Sequence, residues 1–168
     1  GGEMKVLALD IASAKPIAYA LWEDGRLKTF GTIEVLDLLK TIRRSKTPLI
    51  IATEHLYYSS QKRNIKMFTK LAKVLGAIEY AALEGGHDLV EVYASEWQAK
   101  ILPLKNQFTK TEERERWAIT IAQQLVREHL GEEREVNKDE ASAICLGQYV
   151  SSREEFKELL EEVEDEHQ

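Results

Sequence analysis

Two short apolar runs, each closed by a carboxylate, constrain this chain more than any other feature. Met4–Asp10 reads MKVLALD and Leu49–Glu54 reads LIIATE. Runs this short, rich in Val, Ile, Leu and Ala, are the pattern of strands buried on both faces of a sheet. Between them, Pro16–Trp22 is a further apolar run, and Glu23-Asp24-Gly25-Arg26 follows it. An Asp-Gly pair between apolar runs is a strong hairpin signal, because both residues tolerate the positive φ that a tight two-residue turn requires. Leu27–Ile33 then alternates and closes a three-stranded meander. Val35, Leu36, Leu38, Leu39 and Ile42 recur at helical spacing, which predicts a helix of about three turns before Pro48.

The second half is mainly helical. Gln61–Leu83 predicts one long helix with Ile65, Phe68, Leu71, Ala72, Leu75, Ile78 and Ala82 on its apolar face, stopped by Gly85-Gly86. Leu89–Tyr93 is a fifth strand. Ser95 is placed to cap a helix over Glu96–Leu102 that Pro103 ends. Thr111–Leu130 is helical, with Trp117, Ile121, Leu125 and Val126 inward and Gly131 as its stop. A last helix starts near Asn137 and runs through Tyr149. The order β-β-β-α-β-α-β-α-α-α predicts an α/β fold: a mixed five-stranded sheet with helices on both faces. Without repeats or a composition break, residues 4–150 form one domain, and 151–168 are an acidic helical extension or tail. The three residues before Met4 are set aside.

Charge is distributed unevenly. The formal net charge is −6, which alone argues against a nucleic-acid partner. Yet Lys40, Arg43, Arg44, Lys46, Lys62, Arg63, Lys66, Lys70 and Lys73 are opposed only by Glu54 across that stretch, and the acids gather late in the chain. Distribution matters more than the sum for phosphate contact. A single cysteine, Cys145, excludes an internal disulfide framework. No run approaches spanning length and no secretion signal is visible, so the expectation is a cytoplasmic protein with no membrane contact.

Asp10 closes the first strand, Glu54 closes the fourth, and Asp139 and Glu140 open the last predicted helix. Ligands sit at the carboxyl ends of the strands in such sheets. If the first and fourth strands are neighbours, Asp10 and Glu54 project from the same edge, and a helix opening there adds Asp139 or Glu140. Close carboxylates resist ionisation unless a cation neutralises them. Hard oxygen donors suit Mg²⁺ or Mn²⁺, and two such ions about 4 Å apart clamp a phosphodiester. Taken singly, each acid is more often a turn, loop or helix-capping residue, and the functional reading rests on their convergence.

LALDIASAKPIAYALWEDG, IIATEHLYYSSQKRN, VYASEWQAKIL, KTEERERWAITIAQQL and NKDEASAICLGQY together resemble the RuvC-type Holliday-junction resolvases over nearly all of Met4 to Val150. The resemblance implies a ribonuclease-H-like fold, a homodimer, and symmetric nicking of four-way DNA junctions with divalent metal, leaving 5′-phosphate and 3′-hydroxyl ends. It makes Asp10 and Glu54 the first two catalytic metal ligands. The third lies in an acidic pair three residues apart: one alignment puts Asp139 first and Ser142 second, another puts Asn137 first and Glu140 second. Asp139 is taken as the ligand with Glu140 assisting, and two Mg²⁺ ions per site, Mn²⁺ substituting, as cofactor.

By the same resemblance Tyr57 stacks on a base near the junction centre, with Tyr58 beside it a weaker candidate, and Lys110 reaches the scissile phosphate. Lys62, Arg63 and Lys66, continuing to Lys70 and Lys73, form either a solvated helix face or a phosphate-contacting stripe, and the absence of interspersed acids favours the stripe. Met67, Phe68, Leu71, Leu75 and Ile78 serve either a two-fold dimer contact or the core. Trp97 is structural. Period-two alternation turns His55 away from Glu54. Three other readings stand beside this one: a YqgF-type or other ribonuclease-H-like nuclease acting on structured RNA, a junction-binding protein without catalysis, and an actin-like nucleotide-binding fold. The last lacks the Gly-rich phosphate loop it needs.

Overall fold

A computed structural model describes residues 4–13, 15–56 and 65–153. The strands are β1 (Lys5–Asp10), β2 (Ile17–Glu23), β3 (Arg26–Ile33), β4 (Ile50–Glu54) and β5 (Asp88–Val92). The helices are α1 (Val35–Arg44), α2 (Ile65–Gly85), α3 (Ala94–Ile101), α4 (Thr111–Leu130) and α5 (Lys138–Ser152). This is the predicted order. The five strands form one sheet in the order β3-β2-β1-β4-β5, antiparallel through β1–β2–β3 and parallel through β1–β4–β5. The hairpin turns where expected: Asp24 and Gly25 carry φ of 52° and 77°, and the Asp24 carboxylate accepts from the Met4 backbone N–H at 2.8 Å.

Alternation along β1 and β4 divides the core in two. Leu7, Leu9 and Ile51 face α1 and α2, against Leu38, Ile42, Ile78, Ala81 and Ala82. Val6, Ala8, Ile50 and Ala52 face the opposite layer, built by Trp97 of α3, Ala118, Ala122, Leu125 and Val126 of α4, and Ala141, Ala143, Ile144 and Leu146 of α5. By the same parity Asp10 and Glu54 project into the α5 layer. The sheet therefore has helices on both faces, and both strand-end acids share the face that α5 covers.

α5 lies unusually close to the sheet. A Cβ on Gly147 would come within 2.3 Å of the Trp22 ring and 3.3 Å of Ala8, so only glycine permits this approach. Asn137 caps the helix and makes a reciprocal capping box with Glu140, which satisfies two otherwise orphaned backbone N–H groups. Close packing and a defined start together place Asp139 at the carboxyl edge of the sheet.

Three local expectations change. Tyr93, not Ser95, takes the N-cap position of α3, without a side-chain cap. Ser95 falls inside the first turn, because α3 begins at Ala94, directly after β5. In α4 the fully buried residues include Ala118 and Ala122 while Trp117 and Ile121 are only partly buried, since small side chains let the helix approach the sheet. On α2, only Ile78, Ala81 and Ala82 are buried among the described side chains. Ile65 is exposed, and Phe68, Leu71, Ala72 and Leu75 are partly buried. No helix among the described residues is long and apolar enough to cross a membrane.

Candidate active site

Leu9 pairs with Thr53 across the parallel β1–β4 ladder, so the residues that follow, Asp10 and Glu54, emerge side by side from adjacent strands. Both are largely shielded from solvent. The Asp10 carboxyl lies within hydrogen-bonding reach of Asp139 from α5. The Lys15 ammonium, from the segment between β1 and β2, meets Asp139 Oδ2 at 2.5 Å. Three segments that are distant along the chain, around Asp10 and Lys15, Glu54 and Asp139, thus meet at one edge of the sheet.

The electrostatics follow from this crowding. Burial, followed by the hydrogen bond with Asp139 and repulsion from Asp139 and Glu54, pushes Asp10 up to about 8 against an ordinary 3.8, and Lys15 offsets only part of this. Glu54 is also raised, chiefly by burial. Burial works in the same direction on Asp139, but hydrogen bonds from Lys15 and Asp10 and the Lys15 charge outweigh it and lower its pKa. Without a bound metal these shifts favour the proton on Asp10 and the charge on Asp139, which Lys15 balances.

Trp97 completes the group. This fully buried indole donates from Nε1 to Glu54 Oε1 at 3.0 Å, opposing the effect of burial on that carboxyl. The sequence marks Trp97 as structural; the structure makes it also the residue that orients Glu54. A cavity of about 190 Å³ opens against Asp10 and Glu54, walled on the α2 side by Leu71 and Leu75. A second, of about 400 Å³, lies on the α3–α4 side between Trp97, Gln98, Thr109, Arg114 and Ser142.

The remaining candidates fall elsewhere. Glu140 does not join the acids: its Oε1 accepts from the Asn137 backbone N–H at 3.2 Å, and its Oε2 lies 4.0 Å from Arg134. His55 borders the cavity against Asp10 and Glu54, but its ring pairs with Glu91 at 3.1 Å and lies tilted against Tyr93. Lys66 is exposed on the first turn of α2, with Lys70 and Lys73 exposed beyond it. Lys110 is exposed at the N-cap position of α4. Tyr57, Tyr58, Lys62 and Arg63 lie outside the described residues. Lys15 was not anticipated. It lies five residues beyond Asp10 in a connecting segment, and nothing in its sequence setting distinguishes it from an ordinary surface lysine.

Among the described residues, no three acid, histidine or cysteine side chains form a closed metal-ligand set in this arrangement. The donor chemistry nonetheless fits a hard divalent cation. Asp10 has both Asp139 and Glu54 as acidic neighbours, burial and these neighbours together raise its pKa, and the Lys15 ammonium is the cation that partly balances them.

No family model matches the sequence, and no curated protein matches it. Solved structures do match. A Thermus thermophilus RuvC in complex with Holliday junction substrate superposes with a TM-score of 0.62 at 15% identity, covering 88% of this chain and 92% of the other. A second Thermus thermophilus RuvC structure gives a TM-score of 0.58 at 16% identity, covering 88% and 93%. The chain has the ribonuclease-H-like fold of these RuvC structures, with Asp10, Glu54 and Asp139 gathered at the carboxyl edge of its central strands.

Proposed function

We propose that this chain is a metal-dependent endonuclease that nicks four-way DNA junctions and works as a homodimer. The observation that carries the reading is the meeting of Asp10, Glu54 and Asp139, from three remote segments, at the strand ends of the fold that RuvC shares. Asp10, Glu54 and Asp139 would hold the divalent ions. Two Mg²⁺ or Mn²⁺ ions, when bound, supply Lewis acidity towards the phosphodiester and a water nucleophile active at neutral pH.

The chain's own groups prepare that site. Trp97 holds one Glu54 oxygen and leaves the other to face the cleft. Asp10 must give up its proton before it serves as a ligand, so cation affinity rises with pH through the raised range of Asp10. Lys15 must leave Asp139 for the same reason, and a released ammonium next to the site is suited to a phosphate oxygen. Glu140, which the resemblance enlists beside Asp139, acts here by holding the start of α5 in place.

Lys66 and Lys110, with Tyr57, Lys62 and Arg63 from outside the described residues, are the proposed DNA contacts. The apolar amino-terminal half of α2 is the proposed dimer face, since a two-fold dimer matches the symmetry of a four-way junction.

Cleavage of a synthetic four-way junction with Mg²⁺, against linear duplex and structured-RNA controls, tests the reading. Asp10→Asn is expected to lower the junction rate at least about 100-fold, more than loss of an outer-shell partner would, while junction binding persists. Cutting at the normal rate by Asp10→Asn would falsify the assignment; faster cutting of structured RNA would favour the RNA-processing alternative. One observation supports a second reading, a junction-binding protein without catalysis: Ser142 stands where one alignment expects the second acid of the pair. Tight gel-shift binding with no metal-stimulated cutting would establish that reading.

A further inference from the structure

The connection between α3 and α4 presents a side chain that the folded domain does not bury. Phe108 is 81% exposed, the most exposed large apolar side chain among the described residues. Leaving an aromatic ring in water is unfavourable, yet the loop around it is extensively hydrogen-bonded. Asn106 Oδ1 accepts from the Phe108 backbone N–H at 2.8 Å, and the Asn106 carbonyl accepts from Thr109 Oγ1 at 2.7 Å. Arg114 reaches back from α4, donating to the Thr109 and Gln107 carbonyls at 2.7 Å each and to Gln98 of α3 at 2.8 Å. The residues on both sides of Phe108 are therefore tied to two helices, and the ring points outward from a braced support.

The surroundings indicate what this ring meets. Lys105, Asn106, Gln107 and Lys110 are exposed around it, so Phe108 is a single aromatic in a polar, basic segment and not the centre of an apolar patch. Arg114 spends its donors on the loop and on Gln98, which leaves Lys105 and Lys110, on either side of Phe108 in the chain, as the exposed cations of this segment. Glu112 and Glu113 follow in the first turn of α4, where they complement the helix dipole. The loop also adjoins the candidate active site. Thr109 lines the 400 Å³ cavity with Trp97 and Ser142; Trp97 holds Glu54, and Ser142 follows Asp139 by one helical turn.

A braced, exposed aromatic with an exposed lysine before and after it in the chain, beside the candidate active site, has the chemistry of base stacking combined with backbone contact. We propose that Phe108 stacks on an unpaired or splayed base of branched DNA next to the scissile phosphate, with Lys105 and Lys110 on the adjoining phosphates. This rests on reading the chain as a branched-DNA nuclease.

The test measures binding to a four-way junction carrying 2-aminopurine at its branch point, with Ca²⁺ in place of Mg²⁺. Phe108→Ala is expected to weaken junction binding about 5- to 150-fold, the scale of one lost base stack, and to abolish the 2-aminopurine response. Phe108→Trp should keep both, and thermal stability should stay unchanged in either variant because the ring is exposed. Wild-type affinity and response in Phe108→Ala overturn the proposal. Unchanged affinity with an altered sedimentation coefficient also overturns it, by making the ring a protein–protein contact. A wild-type protein that binds junction no better than linear duplex fails earlier: it removes the branched-DNA reading itself, whatever Phe108 does.

Discussion

α5 and α2 are both long helices laid on the same sheet, on opposite faces, and they are held in opposite ways. α5 is buried along almost its whole length, with Ala141, Ala143, Ile144, Cys145 and Leu146 fully enclosed, and Gly147 brings it against Trp22 and Ala8. α2 is fully buried only at Ile78, Ala81 and Ala82 of its carboxyl-terminal half. Its first half leaves Ile65 and Met67 exposed and Phe68, Leu71 and Leu75 partly buried. A helix buried all round has its position set by this chain alone; one with a half-exposed apolar stripe has surface left for another partner. Asp139 rides on α5, so the acid cluster is fixed by the core, whereas α2 contributes only the outer wall of the cleft.

Substitutions in the two helices should therefore differ sharply. The largest effect is expected from Ile144→Ala, which leaves a cavity under α5 and should cost about 2–5 kcal/mol in urea unfolding. Equal losses from α2 truncations would erase the contrast. Next is the acid edge that α5 holds. The Asp10 pKa is raised from 3.8 to about 8, so the folded state takes up the proton more readily than the unfolded chain. That contribution is complete below about pH 4 and is lost as pH climbs through 8. The metal-free protein should thus weaken over this interval, and Asp10→Asn should be about 1–2 kcal/mol more stable than wild type at pH 8, with Asp139 moving the opposite way and limiting the gain. Thermal melts in chelator at pH 5 and pH 8 check this; a wild-type curve flat with pH contradicts it. The smallest effect on unfolding is expected from Phe68→Ala, under about 1 kcal/mol for a partly exposed ring, but sedimentation velocity should shift towards monomer. A stable dimer in that variant would remove α2 as the dimer face.

The same contrast explains what could be read from the sequence. The order of elements along the chain and both strand-end acids were legible because alternation, the Asp24-Gly25 turn and two apolar runs ending in carboxylates are local signals that agree with the fold, whereas the pairing of β1 with β4 stood only as a condition. Asp139 was legible as one member of an acidic pair. Its neighbour was not separable from it: Asn137-x-x-Glu140 is equally the pattern of a capping box and of a ligand pair, and only the packing of α5 decides which carboxylate faces the strands. Lys15 and the Trp97–Glu54 hydrogen bond were hidden for a different reason. Each joins residues 43 or more positions apart, and no periodicity within an element reports such a contact. On α2, regular apolar spacing predicts an inward face along the whole helix, but the spacing does not say whether this chain or a second one covers it.

A crystal grown in Mn²⁺ and measured at the manganese absorption edge tests the central claim most directly. An anomalous peak bounded by oxygens of Asp10, Glu54 and Asp139, with Lys15 displaced from Asp139, is the predicted result. Full Mn²⁺ occupancy elsewhere in the molecule, with Lys15 still seated on Asp139 and no peak between the three carboxylates, would contradict it.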